Sequence, residues 1–140
     1  MFALHPQLQA DCIPLGRFQL CRLLLLNDAT YPWFILVPER DDIREIYQLP
    51  LEDQMLLIRE SSHLAQQLAS HFKADKMNIA ALGNVVPQLH LHHIVRYRHD
   101  PAWPAPIWGK VPPQPYGAAA VAALKQTLSA ILGGGFKPFA

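Results

Sequence analysis

The segment Asn84–Tyr97, NVVPQLHLHHIVRY, places His90, His92 and His93 close together in an otherwise apolar run. Successive side chains of a β-strand point to opposite faces of its sheet. A strand through this segment would therefore carry Gln88, His90 and His92 on one face and His93 on the other. The pattern predicts that the first face lines a pocket, and that the second face, with His93 as a structural residue, packs against a helix.

The chemistry of imidazole indicates what such a pocket could do. The ordinary pKa of a histidine ring is about 6.5, so near neutral pH the ring is an uncharged nucleophile when its second nitrogen is held by an acceptor. A second ring two residues away can donate a hydrogen bond to a phosphoryl oxygen and stabilise charge there. We therefore predict that His90 and His92, with a neutral hydrogen bond from Gln88, transfer a phosphoryl or nucleotidyl group through a covalent histidine intermediate.

Two alternative roles remain open for the same residues. His90 and His92 could be buried core histidines, although burial would require partners for four ring nitrogens. They could also bind zinc, which needs a third ligand. Gln88 is a poor metal ligand, and His99 with Asp100 would reach the pair only if the segment after the strand folded back. We favour the pocket and predict neither a metal nor a cofactor.

Upstream of this segment, the sequence predicts a β-hairpin and a long helix. Residues 17–26, RFQLCRLLLL, and residues 33–38, WFILVP, are apolar runs of strand length joined by the turn-forming NDATYP. Residues 50–73 are predicted to form one amphipathic helix opened by Pro50, where the missing N–H does no harm. The apolar stripe of this helix contains Leu51, Met55, Ile58, Ala65 and Phe72.

Two further strands and a second helix complete the prediction. The strands are KMNIAALGN, residues 76–84, and VPQLHLHHIVRY, residues 86–97. A proline- and tryptophan-rich segment, RHDPAWPAPIWGKVPPQP (residues 98–115, called the arm below), then leads to a helix. The apolar face of that helix contains Val121, Leu124, Leu128 and Ile131. We predict an α+β fold with a mainly antiparallel sheet, in which residues 1–100 form the domain and residues 101–140 pack on it.

Composition limits the possible functions. The chain has 140 residues, of which 51% are hydrophobic, and a net charge of +1, so we expect one domain with a core and no nucleic-acid partner. The run of leucines at 23–26 is too short to span a membrane. Cys12 and Cys21 form no CxxC motif, and the N-terminal residues lack the layout of a signal peptide. We therefore expect a cytoplasmic protein with reduced thiols.

The histidine segment resembles the signature of the histidine triad (HIT) family, which is His-x-His-x-His followed by two apolar residues. The matching positions are Gln88, His90 and His92 for the triad, His93 and Ile94 for the apolar pair, and Arg96 for the arginine that commonly closes the motif. Gly83-Asn84 and the hairpin LLLLNDATYPWFILVPER are also similar to the family pattern. The resemblance covers roughly residues 17–96.

The resemblance implies a HIT-like fold with a five-stranded, mainly antiparallel sheet, and it implies roles for individual residues. His90 would attack the α-phosphorus of a nucleotide, and His92 would contact the phosphate. Asn27 or Asp28 would bind the ribose hydroxyls, and Asn84 would help to hold a phosphate.

The resemblance also implies partners and substrates. Family members are usually homodimers that join their sheets, and they cleave dinucleoside polyphosphates, nucleoside phosphoramidates or adenylylated molecules. Here the first triad histidine is Gln88, and a further histidine often found on the second hairpin strand is Trp33 or Phe34. A nucleotide-binding module with little or no catalysis therefore remains the alternative to an enzyme.

Overall fold

The computed structural model describes residues 1–140 and contains one six-stranded sheet. Its elements are α1 (Pro6–Asp11), β1 (Cys12–Arg17), β2 (Cys21–Leu26), β3 (Trp33–Pro38), a 3-10 turn (Ile46–Gln48), α2 (Leu51–Phe72), β4 (Lys76–Ala80), β5 (Leu91–Arg96), α3 (Ala118–Leu132) and β6 (Lys137–Pro138). Neighbouring strands are antiparallel in the order β4-β5-β3-β2-β1-β6. The α+β prediction is confirmed, with six strands rather than five. None of the helices combines the length and apolarity needed to cross a bilayer.

The predicted hairpin is present as β2 and β3, but the strand predicted over residues 17–26 is divided. Arg17 ends β1, a turn follows, and Cys21 begins β2. The carboxylate of Glu60 on α2 accepts hydrogen bonds from the backbone N–H groups of Leu20 and Cys21, at 2.8 and 2.9 Å. The turn is thus held by a residue about forty positions away, and a local pattern of hydropathy could not reveal it.

The bounds of α2 agree with the prediction, but the helix buries a different face. Leu51, Met55 and Ile58 of the predicted stripe are 73%, 57% and 59% exposed. The buried residues are instead Asp53, Leu57, Glu60, Ser61, Leu64 and Leu68. Half of these are polar, and each polar side chain has a partner: Arg40 for Asp53, the β1–β2 turn for Glu60, and His93 for Ser61. Hydropathy alone therefore selects the wrong face.

Both faces of the sheet are covered. On one face, called the helix face, side chains of the sheet pack against α2 and α3; this cluster includes Leu23, Leu36, Leu57, Leu64 and Leu128. On the other face, called the arm face, the cluster includes Leu24, Ile35, Ile94, Ala102 and Ile107, the last two from the arm. Alternation along β2, from Leu23 to Leu24, therefore divides the core into two layers.

His93 lies on the helix face and is fully buried. Its Nδ1 lies 3.0 Å from the carbonyl oxygen of Leu91, to which it can only donate, so Nε2 accepts a hydrogen bond from the Ser61 hydroxyl at 2.7 Å. Burial lowers the pKa of His93 to about 4, so the ring is neutral at physiological pH. The expectation that His93 is structural agrees with these contacts.

The arm is fixed to the sheet by an ion pair. Arg96 at the end of β5 is 1% exposed, and its guanidinium donates to both carboxylate oxygens of Asp100, at 2.8 and 3.1 Å. It also donates to Asn78 Oδ1 and to the carbonyl oxygen of Ala105. Burial would raise the pKa of Asp100, but Arg96 and three backbone N–H donors outweigh it and hold that pKa at about 2. Arg96 is therefore paired with a carboxylate of the same chain.

Replacing Asp100 by alanine is expected to lower the free energy of unfolding by about 3–5 kcal/mol, because Arg96 would stay buried without its counter-ion. Urea denaturation followed by circular dichroism measures the change. Asp41→Ala is the control, since Asp41 forms only an exposed pair with the N-terminal amine, and it should change stability little. Equal stability of the two variants would contradict the role given to Asp100.

Acidification is expected to destabilise the fold through His93. His93 takes up a proton near pH 6.5 in the unfolded chain, but only near pH 4 in the folded chain. The contribution of neutral His93 to the free energy of unfolding is therefore complete above about pH 6.5 and is lost as the pH falls towards 4. The loss is of the order of 3 kcal/mol. In denaturant titrations from pH 7 to pH 4, His93→Gln should show a shallower fall than the wild type, whereas the exposed-site control His71→Gln should match the wild type. Identical slopes for all three would refute this.

Candidate functional site

A cavity of about 770 Å³ opens on the arm face of the sheet. Its walls are the end of β2, part of α1, the loop at residues 82–86, the start of β5 and residues between 107 and 115 of the arm. Every predicted site residue except Gln88 lines it: Asn27, Asp28, Asn84, His90 and His92. The structure thus brings residues from three separate parts of the chain to one place.

His90 lies immediately before β5, and its ring is oriented by the backbone. Its Nδ1 lies 2.7 Å from the carbonyl oxygen of Gln88. A carbonyl oxygen can only accept, so Nδ1 carries the proton and Nε2 carries the free lone pair. The contact assigns to His90 the tautomer whose outer nitrogen can act as a nucleophile.

His92 has the opposite tautomer. Its Nδ1 lies 2.9 Å from Nε1 of Trp33, the first residue of β3. An indole N–H can only donate, so Nδ1 of His92 carries the lone pair and Nε2 carries the proton. Burial, with smaller contributions from His90 and His93, lowers the pKa of His92 to about 3. The ring is therefore a neutral hydrogen-bond donor at physiological pH.

The two rings lie next to each other in the wall of the cavity, in an edge-to-face arrangement. Their centroids are 4.9 Å apart, with the planes at 68°. The only buried side-chain polar atoms without a hydrogen-bond partner are Arg22 Nε and Tyr31 Oη, and neither Nε2 atom is paired within the protein, so both are open to the cavity. An accepting nitrogen and a donating nitrogen are thus available side by side, as attack on a phosphorus atom requires.

Gln88 is not placed as the sequence pattern predicts. Its Oε1 accepts from the backbone N–H of His5, and its Nε2 donates to the carbonyl oxygen of Ala3, both at 2.9 Å. The regular strand begins only at Leu91, so alternation does not extend back to position 88. The prediction that Gln88 shares a face with His90 and His92 is wrong. Its side chain holds the N-terminal segment, and only its backbone carbonyl contacts His90.

Asn27 and Asp28 follow β2 and connect the sheet to the arm. Asn27 Oδ1 accepts from the backbone N–H of Tyr116 at 2.8 Å, and Asp28 Oδ1 accepts from those of Thr30 and Gln114 at 3.0 and 3.1 Å. Asn27 Nδ2 and Asp28 Oδ2 form no hydrogen bond within the protein, so each residue keeps a polar atom for a ligand. Asn84, in contrast, is exposed in the loop between β4 and β5.

The tryptophans of the arm have different roles. Trp108 lines the cavity and contacts the ring of His92 edge-on, with centroids 5.2 Å apart. Trp103 lies instead against the Arg96 guanidinium, and its ring centroid is 5.6 Å from Arg96 Cζ. The sequence leaves both roles open, because it contains no signal for how a proline-rich segment folds back. It predicts Trp33 only as a replacement for a family histidine, not as the partner of His92.

A metal site would need residues that lie elsewhere. His99 stacks on Tyr97 with ring centroids 5.1 Å apart, and Asp100 is bound to Arg96. No group of three or more His, Cys, Asp or Glu side chains is arranged to hold a metal ion. The cavity also lacks cationic side chains, since Asp11 and Asp28 are the only residues in its walls with a full charge.

Comparisons with known proteins identify the family of the chain. The family model described as HIT domain matches residues 7–99. A histidine triad protein from Marinobacter aquaeolei VT8 is 57% identical and has a TM-score of 0.92, with 94% of this chain and 96% of that chain covered. Among curated proteins, none matches.

Two further solved structures are similar over the same share of the chain. A histidine triad protein from Bradyrhizobium japonicum is 42% identical, with a TM-score of 0.91 and 94% and 98% of the two chains covered. One from Sinorhizobium meliloti 1021 is 40% identical, with a TM-score of 0.91 and 94% and 97% covered. Together with the family match, they establish that this chain belongs to the histidine triad family.

Proposed function

We propose that the protein is a nucleotide hydrolase or nucleotidyl transferase that forms a covalent nucleotidyl-histidine intermediate on His90. The observation that carries the proposal is the pair of opposite tautomers. His90 offers an unprotonated Nε2 and His92 offers a protonated one, and both are open to the same cavity. A pair of buried core histidines would not leave these two nitrogens without partners.

In the proposed first step, the Nε2 lone pair of His90 attacks the α-phosphorus of the nucleotide. A P–N bond forms, and the bond from phosphorus to the leaving group breaks. The leaving group takes a proton from solvent, and the positive charge on the His90 ring is shared with the Gln88 carbonyl through Nδ1–H. The Nε2–H of His92 donates to a non-bridging oxygen, where charge develops in the transition state.

In the second step, water or another acceptor attacks the same phosphorus. The P–N bond breaks, the acceptor releases a proton to solvent, and His90 returns to its starting tautomer. Water gives a nucleoside monophosphate, and another acceptor gives a new nucleotide conjugate. The mechanism uses no metal and no cofactor, because the two histidines supply both the nucleophile and the hydrogen-bond donor.

The rest of the cavity suits a nucleoside. Asn27 Nδ2 and Asp28 Oδ2 would bind the ribose hydroxyls as donor and acceptor. Ile107, Trp108 and Val111 of the arm give the cavity apolar walls against which a base would pack. Asn84, exposed in the loop beside the histidines, would contact the phosphate.

The charge of the cavity favours one substrate class over another. A dinucleoside polyphosphate carries several negative charges that would be removed from water on binding. The cavity walls offer no lysine or arginine, His92 is neutral, and Asp11 and Asp28 are negative. A nucleoside phosphoramidate has one phosphate with a single negative charge and an uncharged or cationic leaving group. We therefore propose phosphoramidates as the preferred substrates.

The activity test compares a fluorogenic adenosine 5′-phosphoramidate with diadenosine polyphosphates. For the wild type, kcat/KM is expected to be at least about tenfold higher with the phosphoramidate, because it brings less uncompensated charge into the cavity. His90→Ala should lower kcat by about a thousandfold or more. His71→Ala, at an exposed site on α2, is the matched control and should keep wild-type rates.

A rapid neutral-pH quench followed by mass spectrometry should detect the intermediate. The wild type is expected to gain the mass of one nucleoside monophosphate residue, and His90→Ala should not. Turnover by His90→Ala at the wild-type rate would overturn the assignment of the nucleophile.

A nucleotide-binding module is the second candidate, and the placement of Gln88 favours it. The first triad position supplies no side chain to the cavity, since Gln88 is bound to Ala3 and His5. Calorimetric titration with adenosine monophosphate separates the candidates. Binding together with no turnover of any tested conjugate would support the module.

We also propose that the protein is a cytoplasmic homodimer. Both cysteines are free thiols, as is usual in a reducing compartment. β4 is an edge strand paired only with β5, and Ile79 on it is 48% exposed. An unpaired, partly apolar strand edge is suited to pairing with a second copy.

Light scattering should report a mass of about twice the 15.8 kDa chain. Ile79→Lys is expected to shift the protein towards monomer, because it places a charge at the proposed edge. Met55→Lys, on the exposed face of α2, is the matched control and should leave the mass unchanged. A monomeric wild type at all concentrations would refute the dimer.

A further inference from the structure

The hydrogen bond between Trp33 and His92 joins two residues that are both almost fully buried. Trp33 Nε1 lies 2.9 Å from His92 Nδ1, and the ring centroids are 5.7 Å apart with the planes at 53°. Trp33 is 8% exposed and His92 is 5% exposed. The bond is therefore shielded from water, which would otherwise compete for both nitrogens.

The chemistry of the indole makes this contact selective. Indole N–H donates and cannot accept, so the bond forms only when His92 Nδ1 is unprotonated. In the other neutral tautomer, and in the cation, two N–H groups would point at each other in a buried site. A glutamine or a second histidine at position 33 could turn or change tautomer and satisfy either form. Trp33 cannot.

We propose that Trp33 is a positioning residue that locks His92 in the Nε2–H tautomer, so that the outer nitrogen of His92 always donates. This inference rests on the proposed function for its consequence, which is a hydrogen bond to the phosphoryl oxygen during attack by His90. The tautomer itself can be measured without any substrate.

The position of Trp33 supports this role. It begins β3, and its Cα partner is Ile94 on β5, so the backbone that carries the indole is tied to the strand that carries His92. The indole also contacts Trp108 edge-on, with centroids 5.9 Å apart. Trp108 in turn contacts His92 edge-on. His92 therefore touches two indoles, of which only Trp33 forms a hydrogen bond with it.

This arrangement provides a matched pair of variants. Trp33→Phe keeps an aromatic ring but removes the N–H that bonds His92. Trp108→Phe removes a similar volume beside the same ring and leaves the Trp33 hydrogen bond in place. If Trp33→Phe fails to fold, benzothienylalanine incorporated at position 33 removes the N–H while keeping the bicyclic shape.

Nitrogen-15 NMR of the histidine rings is the deciding measurement. In the wild type and in Trp108→Phe, the His92 signals should show an unprotonated Nδ1 and a protonated Nε2. In Trp33→Phe, or with benzothienylalanine, the signals should move towards the average of the two tautomers. A protonated Nδ1 in the wild type, or an unchanged tautomer after loss of the indole N–H, would overturn the proposal.

Kinetics with the adenosine phosphoramidate then test the consequence. Loss of the indole N–H should lower kcat by about 10- to 100-fold with little change in KM, because the other tautomer of His92 cannot donate to the phosphoryl oxygen. Trp108→Phe should act mainly on KM. If the wild type shows no turnover but loss of the indole N–H changes the His92 tautomer, the proposed enzyme activity is refuted and the lock by Trp33 stands. If the wild type turns over the substrate but loss of the indole N–H leaves the His92 tautomer unchanged, the lock is refuted and the enzyme activity stands.

Discussion

The burial of β5 on both faces is the constraint on which the rest of the structure depends. All six residues of this strand are buried, and they include His92, His93 and Arg96. A polar side chain in such a position is costly unless it is hydrogen-bonded. The surrounding elements therefore each supply a partner: β3 gives Trp33 to His92, α2 gives Ser61 to His93, and the arm gives Asp100 to Arg96. These bonds attach three separate elements to one strand.

The bonds to the histidine rings also orient the nitrogens that the proposed chemistry uses. A ring whose Nδ1 is occupied by a fixed partner has only Nε2 left, and the character of the partner decides whether Nε2 donates or accepts. The carbonyl partner of His90 leaves Nε2 as an acceptor, whereas the indole partner of His92 leaves Nε2 as a donor. Groups held in this way need little rearrangement when charge develops on a substrate, which is the basis of electrostatic preorganisation. The contacts that stabilise the buried rings are thus the same ones that the proposed reaction requires.

The sequence predicts those parts of the fold that depend on local pattern. The hairpin, the bounds of α2 and the opposite faces of His92 and His93 follow from hydrophobic periodicity and strand alternation. Local pattern does not predict three other features: the exposure of the apolar stripe of α2, the division between β1 and β2, and the position of Gln88. Each depends on a hydrogen bond between residues far apart in the chain, such as Glu60 with the N–H of Cys21. Hydropathy counts such polar residues as exposed, and no local pattern identifies their partners.

The sequence does not predict the wall of the candidate site that the arm forms. Two of the predicted ligand residues, Asn27 and Asp28, each use one side-chain oxygen to hold the backbone of residues 114–116. That use leaves Asn27 Nδ2 and Asp28 Oδ2 with fixed directions, because the other half of each group is already bound. A nucleoside entering the cavity would therefore meet polar atoms whose orientation was set when the arm folded, and less conformational entropy would be lost on binding. The arm therefore contributes to the proposed binding site in two ways: Trp108 forms part of its apolar wall, and the backbone of residues 114–116 orients Asn27 and Asp28.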